Sequence, residues 1–451
     1  MSIIRVVRVR YRVLVAALVL LAAAGWAQAA TEPLEARLDN GLRILLLEDH
    51  RSPVVSFQVW YRVGSRNELP GATGTAHLLE HMMFKGTSRY GAGMYARLIE
   101  QNGGQDNAFT TQDYTAYFVT IAADKIDLVL EVESDRMQNL LLDPKAIETE
   151  RQVVMEERRS RTEDDPEGFL GEEVSAIAFK SHPYRWPIIG WMEDIRRITP
   201  DELRGFYRTY YVPNNALVVA VGDFKAPELL EKIKRHFDPI ARGAEPRPVQ
   251  VVEPPQNGER RVTIKKAAEL PVIFIGYHVP NYRSADAPAL EVFSVILSEG
   301  RASRLYRQLV YEQQLALNAG GDYSSSSADP NLFWFYATPL PERSIEEVEK
   351  ALMRELERLK TDLVSNEELA RARNQVEATF VFEQDSVHRR ASLLARFELV
   401  GSWRLLEQFV PTIRAVTAEE LREVARRYFP EDRRNVGVLV PLPPGDRAEK
   451  P

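Results

Sequence analysis

The sequence predicts an α+β protein of two homologous halves, each built of helices and a mixed sheet, joined by a Pro-rich linker. Three observations carry this expectation. At 451 residues the chain is too long for one ordinary hydrophobic core. Pro239, Pro246, Pro248, Pro254 and Pro255 fall together in a stretch with few large apolar residues, which marks a connection between cores. Finally, a pattern seen before the linker returns after it. Thr199-Pro200-Asp201-Glu202-Leu203 leads to Tyr210-Tyr211-Val212-Pro213 and an apolar run, Leu217 to Val221. Some 218 residues later, Thr417-Ala418-Glu419-Glu420-Leu421 leads to Tyr428-Phe429-Pro430 and the run Val436 to Val440. Each copy reads as a capped helix, a proline-fixed turn and a buried strand, so the chain looks duplicated.

The elements follow in order. Four arginines, Arg5, Arg8, Arg10 and Arg12, precede the apolar run Val13 to Trp26, and Ala27-Gln28-Ala29 then places small residues at both cleavage-critical positions. Residues 1–29 therefore read as a secretory signal peptide, with an uncleaved membrane anchor as the alternative. The expected site of action is the periplasm or the medium outside the cell. Leu42 to Glu48 and Val54 to Tyr61 read as strands. Helical spacing runs over about 75–84, 94–101 and 126–139. Asp143 and Pro144 form an N-cap and first turn for a helix reaching about Arg161. Ala216 to Val221 is a buried strand. The expected domains are 30–237, a linker at 238–260, and 261–445. The last of these holds a strand at 272–279, a helix at 287–297 and later helices through Leu359, Thr379 and Leu399.

Composition narrows the function. An apolar fraction of 45% with 27% charged residues belongs to a globular protein. Without its arginine-bearing N-terminus the chain has 54 basic against 65 acidic residues, so no basic footprint for nucleic acid exists. Cysteine is absent, which removes disulfides, thiol nucleophiles and thiolate ligands. Any metal must be held by histidine and carboxylates.

Only seven histidines occur, and His77 and His81 stand four apart in a helical stretch, His77-Leu78-Leu79-Glu80-His81. Positions i and i+4 share a helix face, so both imidazoles can reach one ion. Glu80 lies on the same side and can hydrogen-bond a water in an open coordination position. A catalytic zinc needs this set: three protein ligands, one open position and a base beside it. Gly71, Gly74 and Thr75 give a flexible approach and a cap, and Met82-Met83-Phe84 an apolar shell. The third ligand is sought on the 143–161 helix. There Glu150 and Glu157 lie two turns apart on one face, and Glu156 and Glu157 compete equally as the ligand. A second carboxylate on that face could orient a ligand histidine.

At this point the residues resemble the pitrilysin-like, or inverzincin, metallopeptidases, which include insulin-degrading enzyme and the mitochondrial processing peptidase. In that family H-x-x-E-H is followed about 75 residues later by a ligand Glu within E-R-x-x-V-x-x-E, here Glu150-Arg151-Gln152-Val153-Val154-Met155-Glu156-Glu157. The resemblance selects Glu157 as ligand and makes Glu150 the supporting carboxylate. Gly103-Gly104, Asn107-Ala108-Phe109-Thr110, His182-Pro183-Tyr184, Ile189-Gly190 and Tyr210-Tyr211-Val212-Pro213-Asn214 match further. It covers essentially the whole chain after the signal, and is closest to the short two-domain members.

The resemblance implies a clamshell of two halves, one zinc ion per chain on His77, His81 and Glu157, and Glu80 as the base that activates water. It also implies that Asn107, Ala108 and Phe109 bind an extended peptide as an added edge strand. One departure stands out. The family places an Arg and a Tyr seven residues apart in the second half, and here those positions are Val310 and Leu317. Arg304 and Tyr311 have the right spacing but fall six positions early. The expected partner is thus a related subunit supplying the Arg/Tyr pair in a heterodimer, with a homodimer otherwise. The competing class is a non-catalytic scaffold or peptide-binding subunit.

Overall fold

The computed structural model describes residues 32–443. The expected signal peptide at 1–29 and the end of the expected C-terminal domain at 444–445 lie outside them. Among the described residues no helix is long and apolar enough to cross a membrane.

Eleven strands form two sheets among the described residues. The first contains β1 (Leu34–Arg37), β2 (Arg43–Glu48), β3 (Val54–Tyr61), β4 (Gln105–Thr110), β5 (Thr115–Ala122) and β6 (Ala216–Gly222), in the order β1-β2-β6-β3-β5-β4. The second contains β7 (Arg260–Lys266), β8 (Val272–Val279), β9 (Ala316–Tyr323), β10 (Asn331–Pro339) and β11 (Asn435–Pro441), in the order β7-β11-β8-β10-β9. With β1 set aside, the two orders coincide strand for strand. The directions coincide too: β2 pairs β6 in parallel, β7 pairs β11 in parallel, and every other pair is antiparallel.

The helices repeat with the strands. The first half carries α1 (Thr75–Met82), α2 (Met94–Gln101), α3 (Ile126–Asn139), α4 (Pro144–Arg158), α5 (Pro166–Ala178), α6 (Met192–Arg197), α7 (Pro200–Tyr210) and α8 (Ala226–Phe237). The second carries α9 (Ala287–Ser298), α10 (Ile345–Thr361), α11 (Asn366–Phe382), α12 (Val387–Val400), α13 (Leu405–Ala415) and α14 (Ala418–Tyr428). The run α3 to α7 between β5 and β6 thus has its counterpart in α10 to α14 between β10 and β11. The two recurring sequence patterns fall on α7–β6 and α14–β11. In each, the threonine and the glutamate three residues on form a capping box, at Thr199 with Glu202 and at Thr417 with Glu420. The two homologous α+β halves read from the sequence are present.

The halves exchange a helix. β2 and β6 are apolar on both faces, and β3 is buried on both, with Ser56 and Gln58 on one of them; such strands need cover on both. One face packs under helices of its own half. The other, with Leu45, Leu47, Trp60, Leu217 and Val219, is covered by Ala391, Leu394 and Ala395 of α12 and by Trp403. Reciprocally, Leu170 of α5 packs on Ile264, Val272 and Leu439 of the second sheet. α5 and α12 are counterparts in the repeat, so each half roofs the other's sheet. Residues 241–258 form neither helix nor strand, yet they are tied down, since Glu253 accepts the backbone N–H groups of Lys180, Ser181 and His182.

The helix expected to reach Arg161 is α-helical only to Arg158. Residues Arg159–Glu163 widen into a π-helical turn, closed by the Asp164 N–H on the Arg159 carbonyl at 2.6 Å.

Candidate metal centre

Helix α1 packs against both β4 and α4, and these three elements build the centre. Its entry differs from the sequence expectation. No side chain at Gly74 or Thr75 caps the helix. Instead the buried Glu68 accepts the N–H groups of Gly74 at 2.9 Å and Ala76 at 2.7 Å, which offset part of the rise that burial imposes on its carboxyl. Gly74 has φ 91°, and a Cβ there would lie 2.5 Å from the Ile189 carbonyl oxygen, so the turn needs glycine. At α4 the expected cap is present. Asp143 accepts from the N–H groups of Lys145 and Ala146, with Pro144 in the first turn.

The i, i+4 spacing puts the rings of His77 and His81 4.8 Å apart between centroids. Glu157 comes from α4 to meet them: Oε2 lies 3.3 Å from His81 Nε2 and Oε1 lies 3.8 Å from His77 Nε2. One donor atom from each of the three lies within 4.8 Å of the others, and they are the one such His/carboxylate group among the described residues. A tetrahedral zinc with bonds of about 2.0–2.1 Å spaces its ligand atoms roughly 3.4 Å apart, so this donor set fits the ion closely. Two imidazoles and a carboxylate, with no thiolate, also suit a catalytic rather than a structural zinc. Glu156, the rival of Glu157 in the sequence, points away and pairs with Arg159 at 2.6 Å, largely exposed.

Glu150 sits two turns before Glu157 and reaches the other side of the same imidazole. Its Oε1 is 2.9 Å from His81 Nδ1, and its Oε2 is 2.6 Å from Lys85 Nζ. A carboxylate there favours the tautomer with the proton on Nδ1, leaving Nε2 free toward Glu157. His77 has no such partner, and its buried Nδ1 makes no hydrogen bond. Glu80 is turned toward β4, where the Thr110 hydroxyl donates to its Oε2 at 2.5 Å.

The electrostatics divide the two histidines. Burial pushes His77 down to about 4, with the neighbouring His81 adding to the shift. Burial also opposes charge on His81, but the hydrogen bonds to Glu150 and Glu157 prevail and raise it to about 9. The His81 hydrogen bond holds Glu157 below the ordinary carboxylate range. Burial raises Glu80, and the Thr110 hydroxyl partly offsets this. Among the side chains alone, His81 therefore holds an extra proton, on the Nε2 that faces Glu157, where a dication would take its place.

A cavity of about 790 Å³ opens onto this cluster, bounded by His77, Glu80, His81, Glu157 and the strand residues Asn107 to Thr110. β4 is the edge of its sheet and pairs only with β5. The Ala108 N–H is capped by the Asn107 side chain at 2.8 Å, a contact that an incoming strand could displace. Asn107, Ala108 and Phe109 therefore line the cavity beside the metal ligands. Trp334 of β10 closes the far wall, so both halves border the space. Val310 and Leu317 are not among the lining residues. Arg304 is held by Glu368 of α11 at 2.7 Å, and Tyr311 is 74% exposed, so neither faces the cavity.

Several contributors were not assigned from sequence. Thr110 was seen within the matched stretch without its bond to Glu80. Lys85, and Arg161 at 2.7 Å from Glu157, pair with the two carboxylates. The i, i+4 spacing of Glu157 and Arg161 was the one local signal available.

The chain is similar to known peptidases. A family model described as Insulinase (Peptidase family M16) matches residues 43–190, and one described as Peptidase M16 inactive domain matches residues 197–376. The chain is 33% identical over 409 residues to zinc protease PqqE of Helicobacter pylori, covering 90% of this chain and 92% of that protein. It is 25% identical over 417 residues to a probable mitochondrial-processing peptidase subunit beta of Arabidopsis thaliana, covering 90% of this chain and 78% of the other. The crystal structure of a protease from Helicobacter pylori superposes with a TM-score of 0.88 at 32% identity, covering 91% of this chain and 99% of that one.

Proposed function

The chain belongs to the insulinase family of peptidases, family M16, and from that premise we propose that it is a zinc-dependent endopeptidase acting on peptides or unfolded segments. The observation that carries the proposal is the convergence of His77, His81 and Glu157, with Glu80 beside them, on a cavity bordered by an edge strand. One zinc per chain, held by those three side chains, would supply Lewis acidity to a water and to the substrate carbonyl.

The rest falls to the chain's own residues. An extended peptide lies along β4, and its main chain bonds to the backbone of Asn107 to Phe109, so affinity depends little on sequence. Glu80 accepts the proton of the attacking water as the new C–O bond forms. It then delivers that proton to the amide nitrogen as the C–N bond breaks. Thr110 holds the Glu80 carboxylate aside from the histidines, and Glu150 holds the His81 ring in the tautomer that presents Nε2.

The proposal extends to a partner. With Val310 and Leu317 at the family's Arg/Tyr positions and Arg304 bound to Glu368, the pair that holds the substrate carbonyl comes from a related subunit. A homodimer is the alternative assembly. The arginine-led, apolar N-terminus supports the periplasm or the medium outside the cell as the place of action, with a membrane anchor as the alternative if the segment is not cleaved. A non-catalytic scaffold is the rival reading, but such a subunit has no need of a complete ligand set and base.

The experiment is zinc analysis after extensive dialysis, with hydrolysis of a quenched peptide by the chain alone and with its candidate partner. About one zinc per chain and activity that rises with the partner are expected, and Glu80→Gln should remove turnover while leaving zinc bound. Zinc well below one per chain would overturn the metal reading. High activity alone, unchanged by the partner, would overturn the heterodimer.

A further inference from the structure

The metal ligands and the base all come from the first half, yet the second half is locked onto the strand beside them. The lock is at the β4–β5 turn, residues 111–114. Asp113 on that turn is nearly enclosed, with 8% of its side chain exposed. Its Oδ2 accepts the N–H of Ala328, in the β9–β10 loop of the second half, at 2.9 Å. Its Oδ1 accepts the Tyr184 hydroxyl at 2.6 Å and lies 3.2 Å from Arg66 Nη1. The same Arg66 nitrogen reaches Asp329 Oδ2 at 2.6 Å, and His182 Nε2 reaches that oxygen at 3.2 Å. The Asp329 N–H in turn donates to the Tyr184 hydroxyl at 3.1 Å. Next to them, Asn331 of β10 donates to Gln112 at 3.2 Å.

This buried network has a short route to the chemistry. The turn is strapped from below by the N–H groups of Ser65 and Arg66, which donate to the carbonyls of Thr111 and Gln112. Immediately before the turn stands Thr110, whose hydroxyl fixes Glu80. Gln112, Tyr184 and Trp186 line the cavity itself. A shift of the turn therefore moves the end of the peptide-binding strand and the base's partner together.

We propose that Asp113, with Asp329 across the junction, is a positioning residue for the reaction: it lets the metal-free second half set the place of β4 and, through Thr110, of Glu80. The surroundings fit that role better than simple cohesion. Cohesion between the halves is already provided by the exchanged helices α5 and α12. That face has its own ion pair, Arg390 to Asp49 at 3.2 Å, remote from the cavity. The inference rests on the peptidase reading for its kinetic readout, while its structural readout stands without it.

The test compares Asp113→Ala, Asp113→Asn, Asp329→Ala and the control Arg390→Gln in the zinc-loaded full-length protein. In Asp113→Ala, kcat should fall about 10- to 100-fold with a raised KM for a long peptide and unchanged zinc content, the cost of moving reacting groups by about 1 Å. Asp113→Asn keeps one acceptor oxygen for two donors, so it should restore part of the loss and fall between Asp113→Ala and wild type. Arg390→Gln should lower the melting temperature without changing kcat or KM. If Asp113→Ala does not fold, Asp329→Ala is read in its place, with a smaller loss in the same direction. In parallel, hydrogen exchange at Ser65, Arg66 and Thr111 should quicken in the Asp113 and Asp329 alanine variants and not in the control. Should the wild type with zinc and partner hydrolyse no peptide, the peptidase reading falls and the exchange data alone decide the positioning role. Folded, zinc-loaded alanine variants with wild-type kinetics and wild-type exchange, differing only in melting temperature, would overturn it.

Discussion

Glu150 offers a sharp test of how the centre is supported, because it touches the metal site only through His81. Its two oxygens have two different donors: the His81 Nδ1–H at 2.9 Å and the Lys85 ammonium at 2.6 Å. Glu150→Gln keeps the shape but leaves one oxygen for two donors. If the amide oxygen turns to Lys85, the NH2 group faces His81 Nδ1 and favours the wrong tautomer, with the proton on Nε2 where the metal should be. If it turns to His81, the amide N–H groups face the Lys85 cation instead. Either way the carboxylate's charge beside the imidazole is gone. Loss of a ligand's supporting carboxylate lowers metal affinity about 10- to 100-fold, or roughly 1.4–2.7 kcal/mol. Competition with a chromophoric chelator at fixed pH measures this directly. The double variant Glu150→Gln/Lys85→Met should recover part of the loss, since the competing donor is removed. A zinc Kd for Glu150→Gln within about two-fold of wild type would refute the supporting role, as would a double variant no better than the single one.

Other expectations follow from the same structure. His81 is raised to about 9, so at pH 7.5 the metal-free protein holds a proton there that zinc must expel. Titration calorimetry in buffers of different ionisation enthalpy should report about one proton released per zinc, fading as pH rises through 9, with affinity falling as pH is lowered below that value. No proton release at pH 7.5 would count against the charge arrangement of the two histidines. Chelation should lower the melting temperature and zinc should restore it, since an ion at 1,000 times its Kd stabilises by about 4 kcal/mol. An unchanged melting temperature would mean the site does not bind zinc in the folded chain. Leu394→Ala opens a void under α12 on the first sheet and should cost about 2–5 kcal/mol while the chain still unfolds in one transition. Two separate transitions would show that the halves fold independently.

Much of this could be read in the sequence because the signals were local. Glycine and proline punctuation, cap residues and apolar runs placed the starts of α4 and α7, and the strands β2, β3 and β6, within a residue or two. The H-x-x-E-H spacing put His77 and His81 on one helix face, and helical phase alone joined Glu150 to Glu157. What stayed hidden depended on contacts between distant segments. The choice of Glu157 over Glu156 needed the family's spacing and then the packing of α4 on α1, because adjacent helix positions differ only in direction. The cap of α1 came from Glu68, six residues before Gly74, and loop geometry gives no periodic signal. The exchange of α5 and α12 was invisible because an amphipathic helix shows that it is buried without showing against what. Asp113 carries no local signal, because its role depends on Arg66, Tyr184 and Ala328, the last of them 215 residues away in the chain.

The two halves share one topology, and the difference between them shows what a buried polar centre requires. α9 holds the place in the second half that α1 holds in the first, and its buried side chains are Leu290, Val292, Phe293, Ile296 and Leu297. α11 stands where α4 does, burying Leu369, Ala372, Val376 and Phe380, while α4 buries Glu150 and Arg158 among its apolar residues. Ionisable groups in a low-dielectric interior cost several kcal/mol each unless they are paired or bind a cation. The counterpart helices of the second half bury mainly apolar side chains, although Glu291 of α9 is pushed up by burial and bonded to Ser325. The first half keeps its polar cluster, where His77 is forced neutral and Glu80 is raised by burial. A dication bound there would couple metal affinity to the stability of the first half. The second half roofs the first sheet through α12 and bonds to the β4–β5 turn through the 324–330 loop.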